Sequence, residues 1–145
     1  MKLNPVRYSS AVGELWVMAT FKVKYCHKIF NNERVRNVCY ALLEEAMHNY
    51  HVRYEKIGFD EDHVHILLDM GLYNKPQIAK LLRGYSARKM FRAFPWLKRR
   101  YFWKSGLWNP AYDIRSHDVG VLSRYIDKQK YAHAGQQMLS TYAAT

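Results

Sequence analysis

Acidic residues are missing from one long stretch of this chain. Of the 12 Asp and Glu in its 145 residues, none lies between Met70 and Tyr112. Cysteine is nearly absent too. Cys26 and Cys39 are the only two, and their spacing suits neither a zinc motif nor a disulfide framework. Two reduced thiols in a cytoplasmic protein are expected. No apolar run approaches the ~20 residues that a membrane helix needs, so no membrane partner is expected. The N-terminus lacks the charged-then-apolar pattern of a secretion signal. No repeat, linker or low-complexity tract divides the chain. One domain over 1–145 is the natural reading, with about 131–145 as a C-terminal tail. At 49% hydrophobic residues it can bury a core without staples.

What the acid-free stretch holds is base and aromatic ring. Lys75, Lys80, Arg83, Arg88, Lys89, Arg92, Lys98, Arg99, Arg100 and Lys104 alternate with Tyr73, Tyr85, Phe91, Phe94, Trp96, Tyr101, Phe102, Trp103 and Trp108. The formal net charge is +11, which points to a polyanionic partner. Cations hold phosphates, and ring faces stack on unpaired bases at about 1–3 kcal/mol each. Many of these rings must also serve the core, since aromatic residues dominate burial. The lysines and arginines have no such role. A nucleic-acid partner follows, with the rings favouring single strands.

Hydrophobic spacing predicts the elements. Residues 14–23 alternate, with Leu15, Val17, Ala19, Phe21 and Val23 on one face of a strand. Asn31 or Asn32 can cap a helix whose apolar side carries Val35, Val38, Cys39, Leu42 and Ala46. Val52–Phe59 and His63–Met70 read as a hairpin turning at Asp60-Glu61-Asp62. Asn74 and Pro76 open a second helix, which Pro95 ends. Gly84 inside that helix costs about 1 kcal/mol, as if something approached the backbone there or the helix packed closely on a sheet. Leu107–Ile114 is a fourth strand, with Pro110 requiring an edge. His117 or Asp118 starts a last helix to about Gln129. The order β-α-β-β-α-β is the α+β, ferredoxin-like split βαβ arrangement with an antiparallel sheet and an added C-terminal helix.

Two histidines stand out. In Asp62-His63-Val64-His65-Ile66-Leu67-Leu68, His63 and His65 share one face of a strand while Val64, Ile66 and Leu68 point the other way. Parallel imidazoles on a rigid strand can hold a divalent metal. Histidines also occupy the less buried face of a strand with no ligand role. On the last helix Tyr125 and Gln129 are four residues apart, hence neighbours, beside an apolar stripe of Val119, Leu122 and Ile126. Were that helix to lie over the histidine face, Gln129 could supply a third ligand oxygen and Tyr125 could reach a bound phosphate. Three protein ligands leave positions for substrate oxygens, as metal-assisted phosphoryl transfer requires. A tyrosine packing near a helix and a solvated glutamine remain the plain alternatives.

Taken together, these segments resemble the His–hydrophobic–His (HUH) single-tyrosine transposases, TnpA, of the smallest insertion sequences. Lys24-Tyr25-Cys26-His27-Lys28-Ile29-Phe30 is similar to that family's Lys-Tyr-Arg-Arg-Lys-Val-Leu/Phe segment. The histidine strand matches, and Lys80-Leu81-Leu82-Arg83-Gly84-Tyr85-Ser86-Ala87-Arg88 resembles its Lys-Gly-x-Ser-Ser/Ala-Arg helix. Leu107-Trp108-Asn109-Pro110-Ala111-Tyr112 resembles its Leu-Trp-Ser/Asn-Pro-Ser/Gly-Tyr strand, and Arg124-Tyr125-Ile126-Asp127-Lys128-Gln129 its Tyr-Ile-Glu-x-Gln helix. The resemblance implies His63, His65 and Gln129 as ligands of Mg²⁺ or Mn²⁺ and Tyr125 as the nucleophile. It further implies a homodimer with joined sheets, whose sites typically pair one subunit's histidines with the other's tyrosine helix, and leaves cis or trans placement of that helix open for this chain. Such a protein binds hairpins at the element's ends and cuts and rejoins single-stranded DNA through a 5′-phosphotyrosine. Lys24, Lys28, Lys80, Arg83, Arg88, Lys89 and Arg92 are the candidate DNA contacts. The protein would be cytoplasmic, and nucleoid-associated when bound to DNA.

Cys26 and His27 replace the family's usual Arg-Arg, and the loop between Ser116 and Val121 is short. Neither departure touches the catalytic candidates. A domesticated relative that nicks hairpins shares the same chemistry, whereas a replication initiator or relaxase fits the motifs less well. A catalytically silent hairpin-binding protein, for DNA or RNA, would need none of His63, His65, Tyr125 and Gln129.

Overall fold

A computed structural model describes residues 15–116, 119–129 and 131. Four strands, β1 (Trp16–Val23), β2 (Arg53–Phe59), β3 (His63–Asp69) and β4 (Trp108–Arg115), form one sheet in the order β2-β3-β1-β4. Every pairing is antiparallel. With α1 (Glu33–Asn49) after β1 and α2 (Lys75–Ala93) after β3, this is the split βαβ arrangement expected from the spacing. Pro110 lies on β4, an edge strand, where its missing N–H removes no bond from a central ladder.

The alternation along β1 sorts the two faces. Val17, Ala19, Phe21 and Val23 are fully buried, as are Val64, Ile66 and Leu68 on β3. They pack in one cluster with Val35, Cys39, Leu43 and Met47 of α1 and Ile78, Ala79, Leu82 and Met90 of α2. Leu15, expected on this face, lies just before the strand and is exposed. Asn32 caps α1 by accepting from Val35 N at 3.1 Å. Asn74 and Gln77 form a reciprocal capping box at the start of α2.

Pro95 does end α2, but it also opens a short helix, α3 (Pro95–Arg100), where its fixed φ suits the first turn. Gly84 does not mark a close approach: a Cβ built there meets nothing within 4 Å among the described residues. The crowded position in that segment is Ser86. Its buried hydroxyl donates to Leu82 O at 2.6 Å and accepts from Trp108 Nε1 at 2.9 Å, tying α2 to β4. Cys26 and Cys39 are both free thiols. No described helix is long and apolar enough to cross a membrane. His117, Asp118 and the tail beyond Tyr131 lie outside the described residues, as do the side chains of Val119 and Leu122.

Candidate active site

The sheet face opposite α1 and α2 carries the histidines, and α4 (Val119–Asp127) lies on it, against β1, β2 and β3. Ile126 is fully buried there with Leu67, beside Trp16 and Met18. Lys56 of β2 donates to both carboxylate oxygens of Asp127 at 2.7 Å. Beyond the helix, Tyr131 N donates to Phe59 O at 3.0 Å and the Tyr131 hydroxyl to Asn31 Oδ1 at 2.9 Å. Gly58 sets how close the helix comes. A Cβ there would lie 2.9 Å from Ile126 Cγ2 and 3.0 Å from Gln129 Cγ. Gly58 pairs with His65 across β2 and β3, so the same contact seats Gln129 beside that histidine.

Each imidazole is held by its Nδ1. His65 Nδ1 is 2.8 Å from Thr20 Oγ1, and His63 Nδ1 is 2.8 Å from Asp62 Oδ1. Such partners set the ring orientation and leave Nε2 for another role. His63 Nε2 lies 3.1 Å from Asp60 Oδ2. Ligand-capable atoms of Asp60, His63 and His65 fall within 4.8 Å of one another. Burial, reinforced by the charge of His63, pushes the His65 pKa down to about 4, so its imidazole is neutral at physiological pH. A neutral ring is the form that binds a metal.

Two buried atoms beside Tyr125 lack any hydrogen-bond partner among the described residues: His65 Nε2 and Gln129 Oε1. Gln129 turns its amide nitrogen back to Tyr125 O at 3.4 Å, which leaves the oxygen facing inward. Buried acceptors are seldom left unmade without a reason. A lone imidazole nitrogen, a carboxamide oxygen and a nearby carboxylate suit a hard or borderline divalent cation. The ring of Tyr125 stands edge-on to His65, with centroids 5.2 Å apart and planes at 80°. The two histidine rings are themselves 4.8 Å apart. One chain therefore brings Tyr125 to its own histidines.

The candidate DNA contacts divide. Lys24 and Lys28 follow β1 at the histidine end of the sheet, and Lys28 pairs with Glu61 at 3.6 Å. Lys80, Arg88 and Arg92 are exposed on α2, which covers the opposite face and so stands apart from the histidines. Arg83 is turned inward, donating to Asn109 O and Pro110 O at 2.7 and 2.9 Å with its guanidinium over Tyr112. Lys89 donates to Tyr85 Oη at 2.8 Å and lies 3.4 Å from Glu45 Oε1. Both hold the chain together in this structure.

Asp60, Thr20 and Gly58 escaped the sequence reading. Asp60 reads as part of a polar turn, yet a tight hairpin returns that carboxylate toward the first residue of the next strand. The pairing of Thr20 with His65 needs the strand order. The role of Gly58 needs α4 in place.

Comparison with known proteins gives the chain's family. Residues 11–129 match the family described as "Transposase IS200 like" (Y1_Tnp). The ISDra2 transposase TnpA of Deinococcus radiodurans is 34% identical over 113 residues, covering 74% of this chain and 78% of that protein. A crystal structure of a Deinococcus radiodurans R1 protein assigned as a transposase superposes with a TM-score of 0.67 at 28% identity, over 83% of this chain and 95% of the other. The REP-associated tyrosine transposase bound to a REP hairpin shares the fold, with a TM-score of 0.55 at 9% identity over 80% and 64% of the two chains. A profile matched along most of the chain and a relative this similar establish the assignment: the chain belongs to the IS200-like transposase family.

Proposed function

We propose that this transposase binds hairpins at insertion-sequence ends and cleaves and rejoins single-stranded DNA through a 5′-phosphotyrosine on Tyr125. His63, His65 and Gln129 would hold Mg²⁺ or Mn²⁺, with Asp60 adjacent to complete the set. The observation that carries this reading is the pair of orphaned buried acceptors, His65 Nε2 and Gln129 Oε1, beside the Tyr125 ring. A divalent ion at these ligands polarises the scissile phosphate and offsets the charge that builds on it.

The chain's own residues do the rest. Tyr125 Oη bonds to phosphorus as the bond from phosphorus to the 3′ oxygen breaks. The phenol gives up its proton and the departing 3′ oxygen takes one, leaving a 3′-OH and a 5′-phosphotyrosine. Bond energy is retained, so a second 3′-OH can later displace Tyr125 and join strands. A phenol is a weak nucleophile, so positioning matters, and Ile126 with Gly58 supplies it. Asp62 and Thr20 fix the ring tautomers. A hairpin-bound relative of the same fold and this chain's charge of +11 support the DNA partner. Strands β2 and β4 end the sheet, and such edges offer backbone groups through which a homodimer can extend it.

The test incubates the protein with labelled single-stranded DNA from the element's end and Mg²⁺ or Mn²⁺, followed by a denaturing gel. A covalent adduct in the wild type, absent in Tyr125→Phe and His65→Ala, is expected. Hairpin binding with no adduct would sink the nuclease reading and leave a silent DNA-binding protein.

A further inference from the structure

Past the end of β1, the surface carries a connected run of rings that the chemistry at Tyr125 does not use. Tyr25 is 63% exposed, and both it and Cys26 hold left-handed backbone, with φ of 63° and 57°. Two successive non-glycine residues in that region are costly, and such strain gathers at functional sites. From Tyr25 the rings pass to His27 at 6.0 Å, to Tyr101 at 4.8 Å and to Trp96 at 6.5 Å. Trp96 is 37% exposed. Cations lie along the run, with Lys24 Nζ 5.5 Å from the Tyr25 ring and the Arg100 guanidinium 5.2 Å from that of Tyr101. Its start adjoins the histidine strand, because Lys22 pairs with His63 and Val23 N donates to Asp62 O at 2.8 Å.

We propose that Tyr25, His27, Tyr101 and Trp96 form a track on which unpaired bases of a DNA strand stack, with Lys24 and Arg100 on its phosphates. This rests on the single-strand reading above and adds the route the strand follows beside the histidines. Ring faces accept any base, so the track grips without reading sequence. A duplex hides its base faces and would meet only the cations. An acidic protein partner would use the cations and leave the ring faces idle.

The test is fluorescence anisotropy with labelled oligo-dT, in EDTA so that cleavage plays no part, across a salt series. Tyr25→Ala and Trp96→Ala are each expected to weaken binding roughly 5- to 100-fold, with an unchanged slope of log K against log salt. Tyr25→Phe should bind like the wild type, since the ring remains. Lys24→Ala should instead flatten the salt slope. Unchanged oligo-dT affinity in both alanine variants, folded by circular dichroism, would overturn the track. The proposed function fails separately, by a wild type that forms no adduct. An adduct formed normally by Tyr25→Ala with undiminished oligo-dT binding would discard the track and keep the nuclease.

Discussion

Thr20 Oγ1 and His65 Nδ1 stand 2.8 Å apart, on residues directly opposed across the β1–β3 pairing. If Nδ1–H donates to that oxygen, Nε2 carries the lone pair, and Nε2 is buried with no hydrogen-bond partner among the described residues. Thr20 would thus position the proposed metal ligand, His65. Thr20→Val should weaken Mn²⁺ binding by about 10- to 100-fold, the usual effect of losing such a partner. Thr20→Ser keeps the oxygen and should restore the affinity. Calorimetric titration with Mn²⁺ reads both, and equal affinity in the valine variant would rule the role out.

Gly58 leaves β2 no side chain where Ile126 of α4 packs against it. Gly58→Ala should push Ile126 and Gln129 outward, because the added carbon would meet them at 2.9 and 3.0 Å. A displacement of about 1 Å can cost about 100-fold in rate. The core lies on the other face, so circular dichroism should be unchanged while adduct formation falls by that order. Full activity in the alanine variant would show that α4 is held elsewhere.

Tyr125 reaches His65 of its own chain, with ring centroids 5.2 Å apart. Mixing Tyr125→Phe with His65→Ala should therefore restore no adduct, since neither subunit holds a complete site. Recovery in the mixture would mean that the tyrosine helices are exchanged between subunits when the enzyme acts.

Glu44 on α1 has its pKa raised by burial to about 7. The folded chain then holds this proton through a range where the unfolded chain has lost it. Below the ordinary glutamate range the group is neutral in both states and costs nothing. As pH rises toward 7 the folded state loses relative stability through this group. Glu44→Gln should be stabilising relative to wild type near neutral pH, with the difference vanishing in acid. Urea denaturation at about pH 5 and about pH 8 compares them, and a pH-independent difference would contradict the assignment.

Local periodicity made the elements legible. The alternation from Val17 to Val23 and from Val64 to Leu68 identified strands and faces together, because side chains on a strand obey a period of two. Tyr125 and Gln129 were readable as neighbours for the helical equivalent of that reason. Contacts made across the chain were not. Arg83 reads in the sequence as a phosphate ligand, and only the fold shows that β4 sets two carbonyl oxygens before its guanidinium. Gly84 looked crowded, while the crowding belongs to Ser86, whose partner Trp108 is distant in sequence. The carboxylate of Asp60 needed the hairpin's curl to come near His63.

Among the described side chains of α4, only Ile126 is buried, and the helix is otherwise tied down by the Lys56–Asp127 pair and by Tyr131 just past its end. The sheet beneath rests on a core that α4 does not share. Lifting the described part of this helix would uncover Ile126, Leu67, Trp16 and Met18 while the main core stays covered by α1 and α2. The proposed nucleophile, Tyr125, thus rides on a segment that the main core does not hold. Its backbone amides should exchange with solvent ahead of those in β1 and β3, and a ligand that grips α4 would stabilise the site without stabilising the fold.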